Sequence, residues 1–292
     1  MLKSFLEKHK SILKESEPMC KHTTFRIGGP ARYFFAPTTA EELRSVLCGA
    51  LEEDLNVYPL GAGSNLLVKD NELDGAVIHL AKLHTIHIEK NLVIAGSGFP
   101  LAALINLACQ HGLGGLETLA GIPSSLGGAV IMNAGGKYGC IGDSVKYVLA
   151  IDNKCGLKKL GPRELGFKYR HSEIKNEMIA EVCLELKQAD PEELQRRYAG
   201  ILAEKKLAQP LSQPSAGCVF KNPPNGSAGA LIDNAGLKGL KKGGAMISSK
   251  HANFIVNAGG AKAADVSALI EKIKQTVFEK SRIKLELEIK VW

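Results

Sequence analysis

The 292-residue sequence has no apolar run approaching the roughly 18 residues that cross a bilayer as a helix, so no transmembrane helix is expected. Aromatic residues are scarce, at 5% with a single tryptophan, too few for a platform on which nucleic-acid bases would stack. Neither C-x-x-C nor H-E-x-x-H occurs, and a metal site has no support. Seven cysteines, an odd number without close pairing, argue against a disulfide framework and for a reducing, cytoplasmic home. The start, MLKSFLEKHKSILKESEP, lacks the continuous apolar segment of a signal peptide. It reads as an amphipathic surface helix over 1–17, with Leu2, Phe5, Leu6, Ile12 and Leu13 on its apolar side.

What is present is ordinary for a globular protein: 45% hydrophobic and 23% charged residues, on a chain long enough to bury a sizeable core. The net charge of +7 raises the question of nucleic acid, but the lysines are scattered and only LKGLKK (237–242) is locally dense. A basic pocket for a phosphorylated small molecule accounts for the charge as well. Neither nucleic acid, membrane nor an obligate protein partner is expected.

From about residue 32 short strands alternate with occasional helices. TTAEELRSVLCGALEED opens with a capping box from Thr39 to Glu42, and PLAALINLACQHG is a helix with proline at its start and glycine just past its end. VYPL, LLV, GAVIHL, HTIHI, LVIAG, VKYVLAID, LKKL and MIAEVCLEL read as strands. A charged helix over 191–208 looks like a connector. In a later helix Val266, Leu269, Ile270, Ile273 and Val277 fall on one stripe. KLELEIKVW alternates as a strand, with Leu285, Leu287, Ile289 and Val291 opposite Glu286, Glu288 and Lys290. The expected organisation is α+β: an N-terminal helix at 1–17, a domain at 18–188, a connecting helix at 189–208 and a smaller domain at 209–292. Asn-Ala-Gly recurs at 133, 234 and 257 with different flanks, which reads as a repeated stop to helices or strands.

Three segments carry chemistry. LGAGSNLLV (60–68) lacks the third glycine and the helix of a dinucleotide-binding turn, since position 66 is leucine and a strand follows. Gly61, Ala62, Gly63, Ser64 and Asn65 can still present backbone N–H groups to a pyrophosphate, although a plain tight turn would look the same. The stretch 112–139 carries nine glycines and little charge, and its apolar residues, among them Leu116, Leu119 and Val130, are unsuited to a water-exposed loop. It suits close approach of backbone to a large flat ligand. SAGCVFKNP (215–223) places a thiol at a bend beside a cation and an amide.

TTFRIGGPA (23–31), LGAGSNLLV, GLETLAGIPSSLGGAVIMNAG, FKYRHS (167–172), QPLSQPSAGCVFKNP (209–223), ISSKHANFIVN (247–257) and LELEIKV (285–291) occur in this order. Together they resemble the UDP-N-acetylenolpyruvoylglucosamine reductases of bacterial peptidoglycan synthesis, in the compact form without the extra tyrosine-bearing loop. The resemblance implies an FAD-binding fold of the vanillyl-alcohol-oxidase (PCMH) type with a C-terminal substrate domain. It also implies FAD as cofactor, NADPH as hydride source and an enolpyruvyl nucleotide sugar as substrate.

Carried over residue by residue, the resemblance makes Arg170, Cys218 and Glu288 catalytic. It points to Gly61, Ala62, Gly63, Ser64, Asn65, Gly121, Ser124, Ser125, Gly128 and Asn133 for the cofactor, and to Lys206, Asn222, Lys221 and His251 for the substrate. A guanidinium forks onto a carboxylate and keeps its proton, which suits Arg170; the plainer alternative is a surface arginine paired with Glu173 or Glu177. Strand alternation puts Glu286 on the same face as Glu288 and does not choose between them. Cys218 stands where most of the family carries a serine that hands a proton to carbon. A thiol of ordinary pKa, about 8.5, is mostly protonated near neutral pH and can do this, whereas the plain alternative is an inert, partly buried cysteine. Two other functions compete: an oxidase of the same cofactor fold, and a non-catalytic nucleotide-sugar or flavin-binding regulator.

Overall fold

The computed structural model describes residues 1–224 and 226–292 and divides into two compact units. One comprises 1–15, 33–62 and 74–204; the other comprises 16–32, 63–73 and 205–292. The second unit is therefore discontinuous, which contiguous domains at 18–188 and 209–292 do not anticipate. The physical reason lies in its core: Phe25, Ile27 and Leu67, from the two early segments, pack with Phe220, Ile255, Val266, Leu285 and Ile289.

The first unit holds a five-stranded antiparallel sheet, in the order Leu157–Leu160, Val145–Ile151, Met178–Glu185, Leu92–Gly96, Ile86–Glu89. The helices Leu101–Gln110 and Leu126–Ile131 share its core, where Val93, Leu104, Ile105, Val130, Val148 and Val182 are buried. A second core lies between Phe35 and Ile78, from strands, and Leu43 and Val46 of the Ala40–Glu52 helix. That helix begins as its sequence predicts: Thr39 Oγ1 accepts from the Glu42 N–H at 3.1 Å. The Glu42 carboxylate reaches back in turn and accepts from the Thr38 N–H at 2.7 Å. This bond also holds the Glu42 carboxyl below its usual range.

The second unit has a four-stranded antiparallel sheet ordered Ser215–Cys218, Phe254–Asn257, Ala245–Ile247, Lys241–Lys242. The Ala263–Ser281 helix buries Val266, Leu269, Ile270, Ile273 and Val277, the five residues of the expected stripe. Its first turn is held from far away: the Asp70 carboxylate accepts from the N–H groups of Ala263 (2.9 Å) and Ala264 (3.1 Å). Asn-Ala-Gly does act as a stop. Asn133 follows the helix ending at Ile131, while Asn234 and Asn257 are the last residues of a helix and a strand.

Three expectations need correction. The N-terminal helix spans Leu2–Lys8 only, and Leu13–Pro18 is a strand. The Ile12 carbonyl accepts from the Ala36 N–H at 2.9 Å, so Ile12 and Leu13 answer to a neighbouring strand instead of a helical stripe. The segment 285–291 is not a continuous strand. It makes one isolated bridge, Phe220 to Leu287, and then pairs Lys290–Val291 with Leu66–Leu67 in parallel, leaving Val291 exposed. Finally, Cys48 and Cys155 form a disulfide despite a separation of 107 residues, their Cα atoms lying 5.8 Å apart. The fold supplies the proximity that spacing could not show: Arg44, on the helix that carries Cys48, donates to the Cys155 carbonyl.

Candidate functional site

In the first unit, the loop containing Gly61 and Ala62 closes against the glycine-rich stretch. A Cβ at Gly61 would strike Ser125 Oγ, and one at Gly127 would lie 2.8 Å from Ser97 Cβ. Ser125 is buried and caps the Leu126–Ile131 helix by accepting from the Gly128 N–H at 3.3 Å. Ser124 donates to the Ser125 carbonyl at 2.9 Å, and Gly121 has a φ of +76° that a side chain would resist. Beside Gly127, Ser97 Oγ is buried without a hydrogen-bond partner among the described residues. Backbone stripped of Cβ atoms, with an unused hydroxyl next to it, fits a flat cofactor held along main chain.

Arg170 occupies a strained turn in the same unit. Lys168 and His171 exchange backbone hydrogen bonds at 3.0 and 3.2 Å, leaving Tyr169 and Arg170 at the tip, and Arg170 adopts a φ of +53°. Its guanidinium lies over the Tyr169 ring, 5.1 Å from the centroid. Asn133, expected among the cofactor residues, uses its side chain on the protein's own backbone. Its Nδ2 donates to the Lys168 carbonyl at 3.0 Å and its Oδ1 accepts from the Gly142 N–H at 3.0 Å. The turn is also tied at Ser172, whose hydroxyl donates to the Ile131 carbonyl. Glu173, just beyond the turn, meets Lys168, His171 and Lys175.

The second unit joins the other two catalytic candidates. Cys218 ends the Ser215–Cys218 strand, one residue after Gly217 at φ +77°, and is half-buried. The chain then runs beside 286–288: the Glu288 N–H donates to the Val219 carbonyl at 2.8 Å, and the Lys221 N–H to the Glu286 carbonyl at 2.9 Å. Asn65 Nδ2 donates to the Glu288 carbonyl at 3.2 Å, and the Lys290 N–H to the Asn65 carbonyl at 2.9 Å. The two glutamates that sequence left equivalent now differ. Glu286 is 78% exposed and reaches Lys221 at 3.7 Å, whereas Glu288 is half-buried. Gly63, preceding Ser64 in this loop, is buried against residues 22–23, where a Cβ would strike the His22 carbonyl oxygen.

Among the substrate candidates, Asn222 Oδ1 accepts from the Ala228 N–H at 3.0 Å, at the start of the Ala228–Asn234 helix. His251 Nδ1 accepts from the Asn253 N–H at 3.3 Å, which leaves the ring proton on Nε2 in the neutral form. Burial first, then the nearby Lys238 ammonium, lowers the His251 pKa. Lys206 is exposed in the last turn of the Pro191–Ala208 helix, and its carbonyl accepts from Lys250. Sequence reasoning missed Asn253. It is 3% exposed, and the signal available was only its place between two recognised residues in ISSKHANFIVN.

Residues 31–161 match the family model described as FAD binding domain, and the fold is that of an FAD-dependent oxidoreductase. A variant of Phl p 4, a glucose oxidase, is similar at a TM-score of 0.52 and 14% identity, covering 64% of this chain and 44% of that one, a likeness of fold alone. Residues 209–292 match the model for the UDP-N-acetylenolpyruvoylglucosamine reductase C-terminal domain. The enzyme of that name from Moorella thermoacetica is 43% identical over 95% of this chain and 92% of its own. The one from Carboxydothermus hydrogenoformans is 43% identical over 96% and 94%. The reductase structure from Thermus caldophilus has a TM-score of 0.83 at 40% identity, covering 94% of this chain and 97% of that one. The chain belongs to the UDP-N-acetylenolpyruvoylglucosamine reductase family.

Proposed function

We propose that Arg170, Cys218 and Glu288 carry out the family's reaction, NADPH-dependent reduction of an enolpyruvyl ether on UDP-N-acetylglucosamine in peptidoglycan synthesis. FAD, when bound, supplies hydride transfer between NADPH and the substrate's methylene carbon. The groups that would hold it are Gly61, Ala62, Gly63, Ser64 and Asn65 in one loop, and Gly121, Ser124, Ser125 and Gly128 in the glycine-rich stretch. Asn133 serves instead to hold the Arg170 turn.

Arg170 places its fork on the substrate carboxylate and stabilises the negative charge that develops as the neighbouring carbon becomes enolate-like. Cys218 donates the Sγ proton to that carbon, forming the new C–H bond, and the thiolate recovers a proton from water. Glu288, as a neutral carboxyl, donates a hydrogen bond to the charged carboxylate oxygen. Lys206, Lys221, Asn222 and His251 supply charge and hydrogen bonds to the nucleotide sugar. The observation that carries the reading is the bond from the Glu288 N–H to the Val219 carbonyl, which fixes the Glu288 segment against the residue after Cys218.

The test separates the two half-reactions. Cys218→Ser keeps substantial turnover, because a hydroxyl can still deliver a proton. Cys218→Ala lets NADPH bleach the flavin absorbance but does not let substrate restore it. Normal turnover by Cys218→Ala would overturn the assignment.

A further inference from the structure

The strand that ends at Cys218 leaves its sheet in an unusual way. Ser215 pairs with Val256 and Cys218 with Phe254 across a register shift, and the ladder continues one step further, from the Val219 N–H to the Asn253 carbonyl at 2.8 Å. At Phe220 the partner is no longer a backbone. The Asn253 side chain takes its place: Oδ1 accepts from the Phe220 N–H at 2.9 Å and Nδ2 donates to the Phe220 carbonyl at 2.8 Å. A primary amide offers one acceptor and two donors in a plane, the same pattern as a peptide edge, so one side chain replaces a strand residue. Phe220 is fully buried, so neither of its backbone groups has water as an alternative.

The opposite edge of the same segment carries Glu288. Val219 and Lys221 bond to Glu288 and Glu286, while Phe220, between them, turns its own N–H and carbonyl to Asn253. Residues 219–221 are thus gripped from both sides, by 286–288 on one and by a single buried amide on the other. The Asn253 backbone N–H also reaches His251 Nδ1.

We propose that Asn253 is the positioning residue for proton delivery: it sets where Cys218 and Glu288 stand by acting through Phe220, without touching substrate or cofactor. This rests on the catalytic reading of Cys218 given above. It predicts that disturbing the amide harms protonation of the substrate carbon and leaves hydride entry from NADPH alone.

The experiment uses full-length protein carrying FAD, with Asn253→Asp and Asn253→Gln. Aspartate keeps an acceptor for the Phe220 N–H but faces the Phe220 carbonyl with a second oxygen. Glutamine keeps donor and acceptor but displaces them by a methylene, and it is the variant read if the aspartate protein does not fold. Expected are FAD content and flavin reduction by NADPH within twofold of wild type, and reoxidation by the enolpyruvyl nucleotide sugar at least tenfold slower. The second readout needs no turnover. Site-resolved alkylation by iodoacetamide should change at least threefold at Cys218 and stay constant at Cys20 and Cys140. Hydrogen exchange should be at least tenfold faster at the Phe220 amide, with Phe254–Asn257 still protected. The proposal is overturned if reoxidation or Cys218 alkylation stays at the wild-type rate. It is overturned equally if FAD content and reduction by NADPH fall together with reoxidation, the mark of a purely structural residue. Cys218→Ala is run in parallel. If it is inactive while the Asn253 variants behave as wild type, only the present inference falls; if it turns over normally, the Cys218 reading falls first.

Discussion

Asn65 donates its side-chain N–H to the carbonyl oxygen of Glu288, 223 positions along the chain, at 3.2 Å. Its own carbonyl accepts from Lys290, so the loop residue brackets the catalytic candidate from both sides. Asn65→Ala should lower the rate of substrate reduction about fivefold, the equivalent of one net hydrogen bond of about 1 kcal/mol. Stopped-flow measurement of flavin reoxidation checks this; an unchanged rate would show that the bracket has no bearing on Glu288.

Arg170 stands in the left-handed region at φ +53°. Removing its guanidinium by Arg170→Gly or Arg170→Ala should abolish turnover in either case. The two differ in stability, because alanine keeps the left-handed penalty of about 1 kcal/mol that glycine escapes. The glycine protein should therefore melt higher than the alanine one. Equal melting temperatures would mean that the turn relaxes and stores no strain.

Asp70 holds the first turn of the Ala263–Ser281 helix from a segment 193 positions earlier. Asp70→Ala should cost about 1 kcal/mol, as other lost N-caps do, and lower the melting temperature by about 2–4 °C. Differential scanning calorimetry reads the shift. The rate of flavin reduction by NADPH should not change.

His251 binds its proton less readily in the folded protein than in the unfolded chain, through burial and then Lys238. Between the two values the unfolded chain holds more protons, so stability rises with pH. The contribution is complete above the ordinary histidine value of 6.5 and is lost as pH falls through the lower, folded one. Melting temperature should thus decline between about pH 7 and 5, and decline less steeply in His251→Asn. Parallel slopes would exclude His251 as the source.

Local periodicity made much of the fold legible. The stripe from Val266 to Val277, the cap at Thr39 and the charged Pro191–Ala208 helix are decided within a few residues of themselves. Where neighbours distant in sequence decide, the pattern misleads. Ile12 and Leu13 fit a helical period but serve a strand, and residues 285–289 alternate cleanly while their hydrogen bonds go to loops. The candidate site divides likewise. Order of motifs along the chain singled out Arg170, Cys218 and Glu288, and exposure then separated Glu288 from Glu286. The roles of Asn65, Asn133 and Asn253 were not legible, because an amide gripping distant backbone leaves no periodic trace. The Cys48–Cys155 pair was hidden for the same reason.

The discontinuity of the second unit sets a timetable for biosynthesis. Phe25, Ile27 and Leu67 leave the ribosome early, yet the residues that cover them, among them Leu285 and Ile289, are translated more than two hundred codons later. At about 5–20 residues per second, that is a delay of roughly 10–40 s during which greasy segments stand uncovered. Chaperone capture during this window would be a price of threading the nascent polypeptide back through its own beginning.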